Sequence, residues 1–188
     1  MPRAGLNPAA VVDHAVGLLD EQGPEALTLA AVAGRAGVAT PSLYKHVTGG
    51  LAELRRLVAV RVTDELTERL SRAVLGRGGD EALAALVDAY VDYAVRHPNR
   101  YAALPQAPQD DPELTAAAGR LVEVILAVLQ GYGLAGSELI HATRTVRATV
   151  HGFASLATAG GFRLAEDVTV SRQRLTGVLV EGLRHWPR

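Results

Sequence analysis

The sequence predicts an all-α fold of about nine helices, arranged as an N-terminal three-helix domain and a C-terminal helical bundle. Apolar residues recur at helical spacing along most of the chain, and glycine, proline or a capping residue bounds each such run. The chain has 188 residues, of which 48% are hydrophobic and 21% charged, so it is long and apolar enough to bury a proper core.

The first predicted helix runs from about Pro8 to Gln22. Its apolar residues form one stripe, and Gly23-Pro24 ends it. Because a stripe of this kind packs against neighbouring helices, we expect this helix to brace the segment that follows it.

Residues 27–46 predict two short helices joined by a tight turn. Thr28 precedes the first apolar run, where its hydroxyl can cap a free backbone N–H. Gly37 follows that run at the place where a helix commonly ends in a left-handed residue. Thr40-Pro41 then predicts a second start, with threonine as the N-cap and proline at the first helical position. This order of signals indicates a helix-turn-helix.

The second of these helices has an unusual outward face. Leu43 and Val47 lie four residues apart and are predicted to point inward. The residues left facing outward are Pro41, Ser42, Tyr44, Lys45 and His46. Four of these five can donate hydrogen bonds to phosphate oxygens or base edges, and Lys45 is the only lysine of the chain. A plain surface helix of an all-helical protein is the alternative interpretation.

This segment resembles the DNA-binding domain of the TetR (tetracycline repressor) family, and the resemblance covers about residues 7 to 65. The matching positions are Thr28, Val32-Ala33, Ala36-Gly37-Val38, Leu43-Tyr44 and Lys45-His46. Residues 150–162 more loosely resemble the His-Gly-containing C-terminal domain of one branch of that family. Double-stranded operator DNA is the partner that the resemblance implies.

The DNA interface that we expect is small. Its predicted residues are Thr28, Arg35, Thr40, Pro41, Ser42, Tyr44, Lys45 and His46. The net charge of −1 does not by itself indicate nucleic acid, so a local patch of Lys45, Arg3, Arg35 and helix N-termini must supply the attraction. Related proteins often carry a phosphate-gripping lysine near the start of the next helix. This chain has Gly50-Leu51 there, where free backbone N–H groups could replace it.

The predicted domains are 1–65, with the helix-turn-helix, and 66–188. A long helix from Leu51 to about Leu75 links them and stops at a glycine-rich turn. The capping signals of Asp80, Asp111-Pro112 and Ser137 predict helices to about His97, Gln130 and Ala159. Residues 99–104 suggest a single turn, and a closing helix spans about residues 167–186.

The C-terminal domain is predicted to bind a small hydrophobic or aromatic effector. The residues expected to line its pocket are Tyr90, Tyr93, Tyr101, Leu104, Ile125 and Phe153. They combine apolar bodies with hydroxyl tips, which suits such a ligand. A filled core without a cavity explains the same pattern equally well.

The last two long helices carry more apolar surface than one chain needs, so we expect a homodimer. The predicted interface residues are Val146, Val150, Ala154, Leu175, Val178, Leu179 and Leu183. The family resemblance also implies pairing through these two helices. The alternative is that both helices complete the core of a single chain.

Several classes of function are not supported by the sequence. No cysteine is present, the six histidines are scattered, and no catalytic, nucleotide-binding or metal-binding motif occurs. We therefore predict no catalytic residues, no metal and no cofactor. The start of the chain lacks the apolar core of a signal peptide, and no apolar stretch is long enough to span a bilayer. These features predict a cytoplasmic protein without a membrane partner.

Taken together, the sequence predicts a DNA-binding transcriptional regulator and not an enzyme. Its effector is expected to release it from the operator as a repressor. The main alternative is a helical ligand-binding or enzymatic protein with a vestigial helix-turn-helix. A dimeric scaffold without any ligand is a third possibility.

Overall fold

The computed structural model describes residues 6–105 and 110–187, and within them the chain forms nine α-helices and no strand. The helices are α1 (Pro8–Gln22), α2 (Leu29–Ala36), α3 (Thr40–Leu43), α4 (Gly50–Val74), α5 (Gly79–Arg96), α6 (Pro98–Ala102), α7 (Pro112–Gln130), α8 (Gly136–Thr158) and α9 (Val168–Arg184). A single 3₁₀ turn, Pro24–Ala26, follows α1. The predicted all-α fold class is confirmed.

The helices fall into two compact units. The first unit contains Met1–Thr63 and Asn99–Ala117, and the second contains Asp64–Pro98 and Ala118–Arg188. Helix α4 therefore contributes residues to both units, and α6 belongs to the first. The domain limits 1–65 and 66–188 stay a prediction, because compactness alone does not define a folding unit.

The core of the first unit forms where α1, α2 and α3 meet the beginning of α4. Its fully buried residues include Val11, Leu19, Val32, Leu43, Val47, Leu54 and Val58. Asn7 begins α1, since its side-chain oxygen accepts a hydrogen bond from the backbone N–H of Ala10 at 2.8 Å. A smaller apolar cluster joins Ala59 and Val60 of α4 to Leu114 and Ala117 of α7.

Polar contacts fasten α6 to the end of α1 in the first unit. The guanidinium of Arg100 donates two hydrogen bonds to the carboxylate of Asp20, at 2.8 and 2.6 Å. Asn99 donates to the backbone carbonyl of Asp20 at 3.3 Å. Because a bidentate pair fixes orientation as well as distance, α6 is held firmly against α1.

The core of the second unit is built mainly from α5 and α8, with α9 packed on both. Its buried residues include Leu83, Leu86, Val87, Ala94, Val146, Val150, Ala154, Leu179 and Leu183. Arg172 of α9 pairs with Asp92 at 2.7 Å and with Asp88 at 3.0 Å, both on α5. Residues beyond α9 also contribute, since the Trp186 indole donates to Glu138 of α8 at 2.9 Å.

Three predicted helix caps are wrong, although the helices themselves exist. Thr40 is the first residue of α3 and not its N-cap, because Ala39 before it has the extended backbone of a cap. The N-caps of α5 and α8 are Gly78 and Ala135, not Asp80 and Ser137. Each helix starts one residue before the predicted cap, at Gly79 and Gly136, whose positive φ favours glycine.

The capping prediction at Asp111 agrees with the structure, and Asp167, for which no cap was predicted, caps α9 in a similar way. The Asp111 carboxylate accepts a hydrogen bond from the backbone N–H of Leu114 at 2.8 Å, and the Asp167 carboxylate accepts one from Thr169 at 2.7 Å. Both aspartates therefore satisfy a backbone donor of the first helical turn.

Candidate nucleic-acid interface

The turn between α2 and α3 follows the predicted helix-turn-helix pattern. Thr28 caps α2, where its hydroxyl oxygen accepts a hydrogen bond from the backbone N–H of Ala31 at 3.1 Å. Gly37 ends the helix with φ 69° and ψ 32°, a left-handed conformation that favours glycine. The N–H of Val38 then bonds to the carbonyl of Ala33 at 3.0 Å, which closes the helix end.

Two buried residues fix the orientation of the segment 40–46. Leu43 and Val47 have no exposed surface, as the sequence pattern predicts. Their burial turns Tyr44 and Lys45 outward, and the Tyr44 side chain is 50% exposed. Pro41 is also exposed, whereas Thr40, Ser42 and His46 are half-buried. The outward surface is therefore narrower than the sequence indicates.

Lys45 supplies an uncompensated positive charge on this surface. No acidic side chain pairs with it in the part of the chain that the structure describes. An exposed ammonium group keeps its hydration and can attract phosphate over a Debye length of about 8 Å at physiological salt. Tyr44 beside it presents a hydroxyl that can donate to a phosphate oxygen.

Arg35, by contrast, is held by an acidic partner. Its guanidinium donates two hydrogen bonds to the carboxylate of Glu21 on α1, at 2.6 and 2.8 Å. The bond from Arg35 keeps the pKa of Glu21 below its usual value. Gly17 makes room for this pair, because a Cβ at that position would lie 2.7 Å from Arg35 Nη2. The predicted partner cation Arg3 lies outside the described residues.

The start of α4 offers less to a phosphate than the sequence suggests. The Glu53 carboxylate accepts a hydrogen bond from the backbone N–H of Gly49 at 2.6 Å, and the N–H of Gly50 bonds to the Val47 carbonyl at 3.0 Å. The backbone N–H groups of Gly49 and Gly50 are therefore already paired. A glutamate four residues after Gly49 is the sequence signal that could have revealed this arrangement.

Most other cations of the first unit are paired with carboxylates. Arg56 contacts Glu113 at 2.6 Å, and Arg61 contacts Asp13 at 3.2 Å. Arg55 is exposed and has no such partner among the described residues. Lys45 therefore carries the uncompensated positive charge of residues 40–46, and Arg55 carries that of the first turns of α4.

The predicted pocket residues are divided between the two units. Tyr101 and Leu104 are buried in the first unit. In the second unit, Ile125 is buried, and the Phe153 ring lies 4.9 Å from that of Phe162. Tyr90 lies in this unit too, and its hydroxyl is 3.4 Å from Nδ1 of His151. The predicted pocket therefore stays a prediction.

A cleft of about 450 Å³ nevertheless opens in the second unit between α4 and α5. Apart from two alanines, its lining consists of Glu65, Glu68, Arg69, Arg72, Tyr93 and His97. Only Tyr93 belongs to the predicted set. The charged residues were missed because they lie beside the apolar stripe of α4, where solvent exposure is the ordinary expectation.

The predicted dimer residues differ in accessibility. Val146, Val150, Ala154, Leu179 and Leu183 are buried within the single chain. Leu175 is half-buried, and Val178 is 73% exposed. The large apolar residues of α8 that remain exposed are Ile140 and Leu156. Of the predicted interface residues, Val178 and Leu175 are thus the accessible ones, and the predicted interface stays a prediction.

Among residues 6–105 and 110–187, no three histidine or carboxylate side chains are grouped so that they could hold a metal ion. No described helix combines the length and the apolar character that crossing a membrane requires.

Family models match both parts of the chain. Residues 3–46 match the model described as bacterial regulatory proteins, tetR family. Residues 83–179 match the model described as Tetracyclin repressor-like, C-terminal domain. The second match alone covers more than half of the chain.

Named relatives agree with these models. The chain is 39% identical to an uncharacterized HTH-type transcriptional regulator of Mycobacterium tuberculosis, covering 84% of this chain and 72% of the relative. It is 34% identical to another such regulator of Bacillus subtilis, covering 95% and 96%. It is also 34% identical to the HTH-type transcriptional repressor DrrR1 of Streptomyces coeruleorubidus, covering 81% and 54%.

Solved structures share the fold. A Rhodococcus protein of unknown function superposes with a TM-score of 0.85 at 23% identity, covering 98% of both chains. A TetR variant from Acinetobacter baumannii, in complex with minocycline, superposes with a TM-score of 0.70 at 19% identity, covering 95% of this chain and 96% of that one. At these identities, the likeness establishes the fold alone.

Proposed function

The chain belongs to the TetR family of bacterial regulatory proteins, and from this premise we propose that it is a homodimeric repressor that a small ligand releases from its operator. Members of the family are DNA-binding transcriptional regulators, and the relatives carry the names of regulators and not of enzymes. Operator DNA lies in the cytoplasm of a bacterium, so the proposal places the protein there.

The single observation that carries the DNA-binding role is the outward face of residues 40–46. Leu43 and Val47 anchor the segment, so Tyr44 and Lys45 project from a rigid support. Side chains that are held in place before binding lose less conformational entropy when they bind. We propose that Pro41, Ser42 and Tyr44 face the major groove, and that Lys45 and His46 hold phosphates.

Exposed apolar residues on α8 and α9 support the dimer. Ile140, Leu156 and Val178 each expose at least half of their surface. Apolar side chains of this size gain free energy when a second chain covers them. Two copies would place two α3 helices on successive major grooves, whose centres lie about 34–36 Å apart.

The proposed ligand response rests on α4. This helix is continuous from Gly50 to Val74, so it carries Leu54 in the first unit and Arg69 at the cleft of the second. A ligand that binds one position of α4 better than another would change the separation of the two α3 helices. The repressor name of the Streptomyces relative and the minocycline complex of the Acinetobacter neighbour support the same scheme for this chain.

A gel-shift experiment on the DNA upstream of the protein's own gene tests the proposal. We expect a specific complex that survives competition by unrelated DNA. Tyr44→Ala should weaken it by about fivefold to 150-fold for each bound chain, because a good contact to a base or phosphate contributes about 1–3 kcal/mol. Val95→Ala is the matched control, since Val95 in the second unit is as exposed as Tyr44, at 51%.

The main alternative, a ligand-binding or enzymatic protein with a vestigial helix-turn-helix, predicts no specific complex with any promoter fragment. Genomic footprinting extends the test to all candidate operators. Loss of the protein should raise expression from the bound promoters if it represses them. Equal weakening by Tyr44→Ala and Val95→Ala would contradict the role of the α3 surface.

A further inference from the structure

The cleft of the second unit contains a half-buried arginine, Arg69, that no described carboxylate pairs with. Nε of Arg69 has no accessible surface and no hydrogen-bond partner among the described residues. No ion pair involves Arg69 either. Nε of Arg172 is also buried without a hydrogen bond, but it lies 3.0 Å from an Asp88 oxygen, so its charge is compensated. Arg69 therefore differs from Arg172 in lacking a counter-charge.

The neighbours of Arg69 in the cleft do not supply this counter-charge. Glu68 is paired with Arg72 one turn further along α4. Glu65 accepts a hydrogen bond from the Tyr93 hydroxyl at 3.5 Å. A buried N–H group without an acceptor is costly. An anion that enters the cleft would meet a guanidinium that no described carboxylate neutralises, and it could bind the terminal N–H groups of that guanidinium.

Two aromatic rings in the cleft indicate that such an anion carries an aromatic ring of its own. The rings of Tyr93 and His97 lie with centroids 5.3 Å apart and planes inclined at 49°. A third ring placed against such a pair gains edge-to-face or offset contacts. The volume of about 450 Å³ lies within the range of small-molecule sites.

From this juxtaposition we infer that the cleft binds a small aromatic carboxylate, whose carboxylate accepts hydrogen bonds from Arg69 and whose ring lies against Tyr93 and His97. A guanidinium and a carboxylate match in geometry, since two parallel N–H groups can meet two oxygens. The inference rests on the proposed function, because it names the chemical class of the effector.

Calorimetric titration of the full-length protein tests this inference without DNA. Benzoate, phenylacetate and cinnamate are the probes, each compared with its neutral amide. We expect each acid that binds to do so at least tenfold more tightly than its amide. Inorganic phosphate at the same concentrations should bind more weakly than the acids, because it lacks the ring.

Variants of the cleft make the test specific. Arg69→Gln should weaken binding of the acid by about tenfold to a hundredfold, the loss expected for hydrogen bonds to a charged group. Arg69→Lys keeps the charge but not the paired N–H groups, so it should restore part of the affinity. Arg96→Gln is the control, because Arg96 is exposed on the neighbouring α5 and lies outside the cleft. Circular dichroism checks that each variant is folded.

Three results would overturn the inference. They are the failure of all three acids to bind at millimolar concentration, equal affinity for an acid and its amide, and unchanged affinity in folded Arg69→Gln. Preference for phosphate over the acids would also exclude the aromatic ligand. Failure of the gel shift would remove the regulatory proposal and leave acid binding intact, so the two can fail separately.

Discussion

The outward face of residues 40–46 and the cleft between α4 and α5 each present positive charge, but in different surroundings. Lys45 stands in solvent, where an unpaired ammonium group keeps its hydration. Arg69 has lost hydration at Nε without gaining an acceptor. An exposed cation therefore costs little and contributes a weak, salt-screened attraction, whereas a half-buried guanidinium with a desolvated N–H gains more from pairing with a ligand. The difference explains why we assign a long charged polymer to one site and a single small anion to the other.

Truncating Leu43, which anchors the outward face of residues 40–46, should have the largest effect. Leu43 is fully buried beneath α3, so Leu43→Ala should lower the free energy of unfolding of the first unit by about 2–5 kcal/mol and abolish specific DNA binding. Urea unfolding followed by circular dichroism, together with the gel shift, measures both losses. If DNA binding survives at wild-type affinity, Tyr44 and Lys45 do not depend on the anchor.

Replacing Arg69, whose Nε is buried without an acceptor, should have the next largest effect, and it should stabilise the protein. Arg69→Met removes an unpartnered charged group and keeps much of its apolar volume. We expect the free energy of unfolding without ligand to rise by about 1–3 kcal/mol. Thermal unfolding should show the change as a higher Tm.

Arg172→Met is the matched control for this prediction. It also removes a guanidinium whose Nε is buried, but it leaves Asp88 without this partner and Asp92 with only the longer contact to Arg96, at 3.6 Å. Its Tm should therefore fall, by the small amount typical of partly exposed ion pairs. A lower Tm in both variants would mean that Arg69 is satisfied by its surroundings after all.

Salt dependence of DNA affinity measures the smaller contribution of the exposed charges. Lys45→Ala should flatten the slope of log K against log salt concentration by about 0.9 for each bound chain. Glu21→Gln should steepen it by a similar amount if the released Arg35 reaches a phosphate, because their bidentate pair is then weakened. Fluorescence anisotropy at several salt concentrations gives both slopes. An unchanged slope in Glu21→Gln would exclude Arg35 from the interface.

The sequence predicts the helix-turn-helix well because its signals are local. Thr28, Gly37 and Leu43 each act within one turn of helix, and each lies as the pattern indicates. Such short-range patterns specify helix ends and buried faces before any tertiary contact forms.

The errors arise where distant residues decide. Asp80 is of a residue type that commonly caps a helix N-terminus. Its carboxylate instead accepts hydrogen bonds from Tyr132 and from Arg184, which is 104 positions away. That Arg69 lacks a hydrogen-bond acceptor likewise depends on how α4 and α5 pack. No periodicity reveals either feature, because both depend on side-chain contacts between helices.

The difference between exposed and buried charge also predicts a mild pH effect, which should be the smallest of all. Burial, and then the nearby charge of Arg147, hold the pKa of His151 below its usual value of 6.5. The unfolded chain therefore takes up the proton first, so the stability that neutral His151 contributes is complete above about pH 6.5 and is lost as the pH falls through the folded-state pKa. His151→Gln should reduce the fall in Tm between about pH 7 and pH 5, whereas the exposed His141→Gln on the same helix should follow the wild type. Parallel Tm curves for all three proteins would show that the partial burial of His151 has no measurable cost in this unit.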